Sequence, residues 1–212
     1  MAALKWGVIL AASYSAVALA YLLFKAFSFG RKSAYAEPQG SAGRGIIYAL
    51  GKGLLPWEKE SARLHLSTYL GGVAYHAGIF AGFAFLFIKV FDIDISTFLL
   101  AIPRIFMALG LICGLGLLAK RISKPLSRRL SRPDDFGANI FVDIFLGAAL
   151  AASFEANAVA VLFAYSIFLF VYLPAGKIRH CFFFFCSRVF FGRFFGRRGV
   201  LPPARHRELN HG

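Results

Sequence analysis

The sequence predicts an all-α integral membrane bundle of five transmembrane helices, with the N-terminus outside and the C-terminus cytoplasmic. Three observations lead there. Hydrophobic residues make up 58% of the 212 positions, charged residues only 16%, and the mean hydropathy is +0.66. A soluble core cannot enclose that much apolar surface, but a bilayer can. The apolar residues gather in five runs, at about 6–28, 67–91, 97–119, 137–154 and 157–186, and hydrocarbon about 30 Å thick takes about 20 apolar residues per helix. The third observation is the placement of charge. Arg31, Lys32, Arg44, Lys52, Lys59 and Arg63 lie between runs one and two, Lys120, Arg121, Lys124, Arg128, Arg129 and Arg132 between runs three and four, and a further basic group follows run five. The other two connections hold Asp92, Asp94 and Glu155, with Lys89 at the end of run two. That alternation follows the positive-inside rule and sets the orientation. It also accounts for the net charge of +14 without nucleic acid as a partner.

The first run needs one check. Lys5, an apolar stretch and Ala34-Tyr35-Ala36 imitate a secretory signal and its cleavage site. The apolar stretch is too long for a signal, and Lys25, Arg31 and Lys32 intervene, so it reads as a first membrane anchor. The loop over 30–61 holds Gly, Pro and Ser and a short interfacial segment at 46–55. The basic loop over 120–137 carries Pro125 and Pro133 as helix stops, and Asp134 or Asp135 is placed to cap the fourth helix. The fourth run is short. The fifth is long enough to emerge past the headgroups. Residues 1–191 then form one membrane domain, and 192–212 a basic cytoplasmic tail with little reason to fold alone. Cys113, Cys181 and Cys186 form no C-x-x-C pair, so no thiolate set for zinc or an iron–sulfur cluster is visible.

Candidate chemistry rests on histidine. His76 and His180 both stand inside apolar runs, and a polar, ionisable residue at membrane depth is a functional candidate by default. By the predicted topology run two leads outward with His76 early in it, and run five leads inward with His180 late in it. Both imidazoles then lie in the inner half, where a facing pair suits the axial positions of a haem iron. Bonds to neighbouring helices, a proton relay or an ion path are the other readings. Gly72, one turn before His76, and the pairs Gly78/Gly82 and Gly110/Gly114 let a helix or a flat macrocycle approach; for the glycines alone, helix packing is the better reading. His65 is eleven residues before His76, about 16 Å along a common helix and on the same face. His206 and His211 read as solvated. Among the other charges, Arg104 suits a haem propionate, a quinone or the outer headgroups. Lys177 and Arg179 flank His180 and suit either propionates or headgroups. Asp143, with its short stem, suits proton transfer from a quinol or a bond to a neighbouring helix. The expected depths of Arg104 and Asp143 differ, which argues against their pairing. The Phe-rich end of run five and the Arg-rich tail form a candidate docking surface, for a protein partner or for anionic membrane lipid.

Three segments in order carry a resemblance: Tyr75-His76-Ala77-Gly78-Ile79-Phe80, Arg132-Pro133-Asp134-Asp135-Phe136 and Pro174-Ala175-Gly176-Lys177-Ile178-Arg179-His180. With the five runs and their orientation, the chain resembles the membrane cytochrome b (gamma) subunit of respiratory nitrate reductases, and more closely the related cytochromes of sulfite-reductase-linked and heterodisulfide-reductase-like complexes. The resemblance implies that His76 and His180 ligate one haem b near the cytoplasmic side. It implies menaquinone or ubiquinone as substrate, an iron–sulfur subunit and a catalytic subunit as partners, and the cell's inner (cytoplasmic) membrane as the location. That family's second, outer haem takes ligands at places that here hold Phe85, Leu86 and Leu162, which cannot bind iron, so one haem is expected. His65 then has three readings: ligand to a further haem with a partner's help, contact to a quinone, or, preferred, a helix cap. The function implied is electron relay between quinol and partner, in either direction, within a quinol-linked oxidoreductase complex and without catalytic residues of its own. The alternatives are a haem-free transporter or channel, and a structural membrane anchor subunit.

Overall fold

The computed structural model describes residues 1–28, 36–58 and 60–203. Among these the secondary structure is entirely helical: α1 (Ala2–Ser28), α2 (Ala42–Leu50), α3 (Glu60–Leu64), α4 (Leu66–Val90), α5 (Thr97–Ser123), α6 (Pro125–Leu130), α7 (Pro133–Phe154), α8 (Ala158–Tyr172) and α9 (His180–Arg197), with short 3-10 turns at Lys52–Leu54, Pro56–Glu58 and Lys177–Arg179. Four of them, α1, α4, α5 and α7, are 27, 25, 27 and 22 residues long and apolar enough to cross a membrane; the α8–α9 pair makes a fifth only if its two halves are counted as one span. Large apolar side chains line their outer surfaces, Phe98 at 84% exposure among them, as lipid-facing helices require. The chain divides into two units, one of residues 1–23 and 67–179, the other of 24–66 and 180–212.

In the first unit the sequence ends each helix by local means. Asp92 takes a left-handed conformation (φ 51°) after α4, and the Ile93 N–H reaches back to the Ile88 carbonyl at 3.0 Å, which satisfies a terminal carbonyl in the manner of a C-cap. The Ser96 hydroxyl accepts the Leu99 N–H at 3.4 Å and starts α5. Pro133 opens α7, and the Asp135 carboxylate accepts the Arg132 N–H at 2.8 Å. The fourth span therefore begins at Pro133, not 137, and is not short: its first turn is polar because it is a cap. Phe85, Leu86, Phe145, Phe163 and Leu162 fill the core. Helices α4 and α5 meet backbone to backbone, since a methyl group on Gly78 would lie 2.7 Å from Gly110 Cα. These glycines serve helix packing.

The fifth run is not one helix. Pro174 has no N–H to give the Phe170 carbonyl, and its ring excludes a further regular turn. The Tyr172 carbonyl instead accepts the N–H groups of Ala175 and Gly176, at 3.0 and 2.9 Å. The Ser15 hydroxyl of α1, itself buried, donates to the Phe170 carbonyl, so the acceptor orphaned by the proline is satisfied from another helix.

The second unit is built on α2 and α9. A methyl group on Gly45 would lie 2.2 Å from the Gly192 carbonyl oxygen and 2.5 Å from Gly196 Cα, so the two backbones touch along successive turns. Arg188 of α9 donates to the Ala49 carbonyl (2.9 Å) and the Gly53 carbonyl (3.1 Å) beyond the end of α2, and the Gln39 N–H donates to the Arg197 carbonyl at 2.9 Å. The boundary expected at residue 191 thus falls inside α9: residues up to Arg197 are helical because Gly192 and Gly196 give them a surface to pack on. Residues 204–212 lie outside the described residues, and with them His206 and His211. The interfacial segment expected at 46–55 is α2 and the following 3-10 turn, and it starts earlier, at Ala42. Nearby, the Tyr48 hydroxyl donates to the Glu58 carboxylate at 2.6 Å, and Lys52 pairs with Glu58 at 3.2 Å. Burial, then the bond to Glu58, pushes the Tyr48 hydroxyl up to about 12. The Tyr48 bond, then Lys52, holds the Glu58 carboxyl below its ordinary range.

Candidate functional site

His76 stands on α4, exposed, with Nδ1 2.7 Å from the Gly72 carbonyl oxygen one turn earlier. A carbonyl oxygen can only accept, so Nδ1 carries the ring proton and donates it, and Nε2 is the nitrogen that would meet a metal. Among the described residues a methyl group on Gly72 would touch nothing within 4 Å. Gly72 thus supplies both the acceptor that sets the imidazole's tautomer and open space next to the ring. Among the described residues no group of three or more His, Cys, Asp or Glu side chains gathers for a metal ion; a haem, which brings four nitrogens of its own, asks the protein for two.

His180 is the first residue of α9 and is exposed. It belongs to the second unit, whereas His76 belongs to the first. His65 also belongs to the second unit. It does not share a helix with His76: it is a turn residue between α3 and α4, where its N–H bonds the Ala62 carbonyl at 3.3 Å in a 3-10 fashion and interrupts the α-helical ladder.

Two of the three motif segments come together in the first unit. Lys177 forms an ion pair with Asp135, and the Tyr172 hydroxyl donates to Asp134. Arg121 reaches the Asp135 carbonyl at 2.6 Å and lies over the Phe136 ring. Gly176 closes the assembly, since a methyl group there would lie 2.2 Å from the Tyr172 ring. Lys177 is therefore held by a carboxylate of its own chain, while Arg179 is exposed. Arg104 donates through Nε to the Ser153 hydroxyl (3.2 Å) and through Nη2 to the Ser153 carbonyl, with its guanidinium 4.4 Å from the Phe154 ring centre. Asp143 is elsewhere, bonded to Asn139 Nδ2 at 2.8 Å, so the two charges have separate partners.

Asn139 is the functional candidate that sequence reasoning missed. Its signal was present: Asn139 and Asp143 are four residues apart, which puts two polar groups on one face of an apolar helix. No family model, curated protein or solved structure matches the chain.

Proposed function

We propose that this chain is a membrane cytochrome b subunit. In this reading it relays electrons between a membrane quinol or quinone and an iron–sulfur partner subunit of a respiratory oxidoreductase complex. The observation that carries the reading is the His76–Gly72 pair: an imidazole at membrane depth with its Nδ1 proton committed to a carbonyl and open helix surface beside it. That tautomer makes Nε2 the nitrogen that would hold an iron, and the hydrogen bond raises its basicity. The three motif segments and the positive-inside pattern support the same reading.

A haem b held here would supply one-electron redox chemistry, which quinol's two electrons must enter singly. This chain's residues do the rest. His76 and His180 would hold the haem. Gly72 orients the first of them through its carbonyl. Arg179 and Arg104 offer positive charge to propionates, Arg104 while keeping its hold on Ser153. Lys177 is committed to Asp135 and stabilises the junction that precedes His180. His65 is the candidate for contact with the quinone, and Asp143 for taking up a proton that quinol releases. Topologically the reading has the N-terminus outside, the C-terminus cytoplasmic, and the partner at the cytoplasmic face.

The test is the visible absorption spectrum of the purified complex, wild type and variants. His76→Ala and His180→Ala are each expected to abolish the b-type absorption. Spectra unchanged in both variants would overturn the assignment. A wild-type complex without haem would favour an anchor or transporter instead.

A further inference from the structure

A cluster of buried polar groups lies inside the first unit; its Tyr75 is the residue before the exposed His76, with the two ring centres 6.1 Å apart. Asp143 and Asn139 of α7 are 6% and 8% exposed, and Tyr75 of α4 is 9% exposed. All three are therefore removed from solvent and from lipid. Asn139 Nδ2 lies 2.8 Å from Asp143 Oδ2 and 3.3 Å from both the Gly114 carbonyl and the Tyr75 hydroxyl oxygen. The Tyr75 hydroxyl donates to the Asn139 backbone carbonyl at 3.3 Å. On α5, Gly114 makes the space, since a methyl group there would lie 2.2 Å from Asp143 Oδ1 and 2.5 Å from the Tyr75 ring. Oδ1 faces that backbone, buried and without a hydrogen-bond partner among the described residues.

Among the described residues no cation forms an ion pair with the cluster; the three pairs that exist involve Asp92, Glu58 and Asp135. Of the titratable groups near it, Tyr75 from α4 bonds within the cluster, His76 stands beside Tyr75, Arg121 from α5 lies near enough to act on Tyr75, and Tyr165 comes from α8. Arg121 is spent on the Asp135 carbonyl, and the Tyr165 hydroxyl on the Phe141 carbonyl at 3.0 Å. An uncompensated carboxylate in such a place is strongly disfavoured, and the cheaper state is the neutral acid. Yet the site is not apolar. Asn139 already donates to Oδ2, and the Tyr75 hydroxyl can turn from the Asn139 carbonyl toward the carboxyl, so the ionised form also has donors waiting.

We propose that Asp143 is an intramembrane proton-binding site, a carboxyl that takes up a proton at Oδ1 and releases it while Asn139 and Tyr75 supply donors to the carboxylate left behind. No electron is consumed: an O–H bond of hydronium in the bulk water breaks as one forms at Oδ1, and release to water reverses both. The inference stands whether or not iron is bound at His76. Enclosure by α5 gives Asp143 a proton as its ligand, not the ring of a quinone.

Infrared spectroscopy of the full chain in lipid vesicles tests it, with aspartate isotope-labelled at the side-chain carboxyl. Wild-type protein is expected to show a protonated-carboxyl C=O band that shifts with the label and is lost as pH rises. Asp143→Asn removes that band. Should Asp143→Asn fail to insert, Asn139→Leu and Tyr75→Phe give the second arm: each withdraws a donor from the carboxylate, so the band is stronger than wild type at the same pH. A wild type without the band wherever the protein stays folded overturns the proposal. So does a band that neither pH nor the donor variants change, which would mark a permanently neutral structural acid.

Discussion

Glycine does different work in the two units. In the first, Gly78 and Gly110 let α4 and α5 touch at one crossing, and Gly114 opens a recess that holds a carboxyl and a phenol. Around them lies a large aromatic and aliphatic core with Phe85, Phe145 and Phe163 fully buried. In the second, Gly45, Gly192 and Gly196 bring α2 and α9 into backbone contact, and the apolar residues Ala49 and Ala62 are its buried core members. One unit packs side chains and uses glycine for local room; the other packs backbone and uses glycine as the interface itself. The lesson is that one spacing of small residues can mark either a niche or a seam, and the neighbours decide which.

The largest effect is expected where the seam is closed. Gly192→Leu would drive a side chain into the Gly45 carbonyl and the Ile46 backbone, neither of which can yield as a side chain can. Overpacking typically costs about 1–3 kcal/mol and more where backbone must move. Thermal melts by circular dichroism, with limited proteolysis between α2 and α9, should show that unit lost. Gly116→Ala, on the open surface of α5 where nothing lies within 4 Å, should be neutral or stabilising by up to about 1 kcal/mol. Equal effects from both substitutions would erase the distinction between the units.

Next is Ser15→Ala, which returns the Phe170 carbonyl to its unbonded state. A buried acceptor left without a donor costs about 1–3 kcal/mol, and the same melts should register it. Arg188→Lys should cost the second unit about 1 kcal/mol, because an ammonium cannot span the Ala49 and Gly53 carbonyls as the planar guanidinium does; hydrogen exchange at the end of α2 is the readout. The smallest effect concerns pH. Glu58 is depressed when folded, so its contribution is complete above the ordinary carboxylate range and is lost as pH falls through the lowered value. Tyr48 is raised when folded, so its contribution is complete below the ordinary value of 10.0 and is lost as pH climbs toward about 12. Between those limits neither of these two groups changes stability, and Glu58→Gln should flatten the acid limb.

Much of the first unit was legible in the sequence. Hydropathy finds α1, α4 and α5 within a few residues because long apolar helices leave little room for another period. It shortens α7 because Asp134 and Asp135 look like loop, whereas a helix start prefers carboxylates. It merges α8 with α9 because apolar content outweighs one proline, although Pro174 and Gly176 were in plain view. His76 was legible as a polar residue in an apolar run; the part of Gly72 was legible only as spacing, since its carbonyl does the bonding. For Lys177 the sequence offers propionates or headgroups and hides the ion pair, because its partner, Asp135, is 42 residues away in sequence, beyond any local pattern. The α2–α9 seam was hidden by the arginines of α9, which make a packed helix resemble a solvated tail.

The bond from Ser15 to the Phe170 carbonyl has a bearing on biogenesis. Helix α1 leaves the ribosome well before α8, so this bond joins an early and a late segment of the first unit. Until α8 has been made, α1 has nothing to seal; until α1 docks, the proline break leaves a bare carbonyl exposed to lipid. A version of the protein relieved of α1 would therefore insert its remaining spans with an open flank, and quality control would have a polar mark there to find.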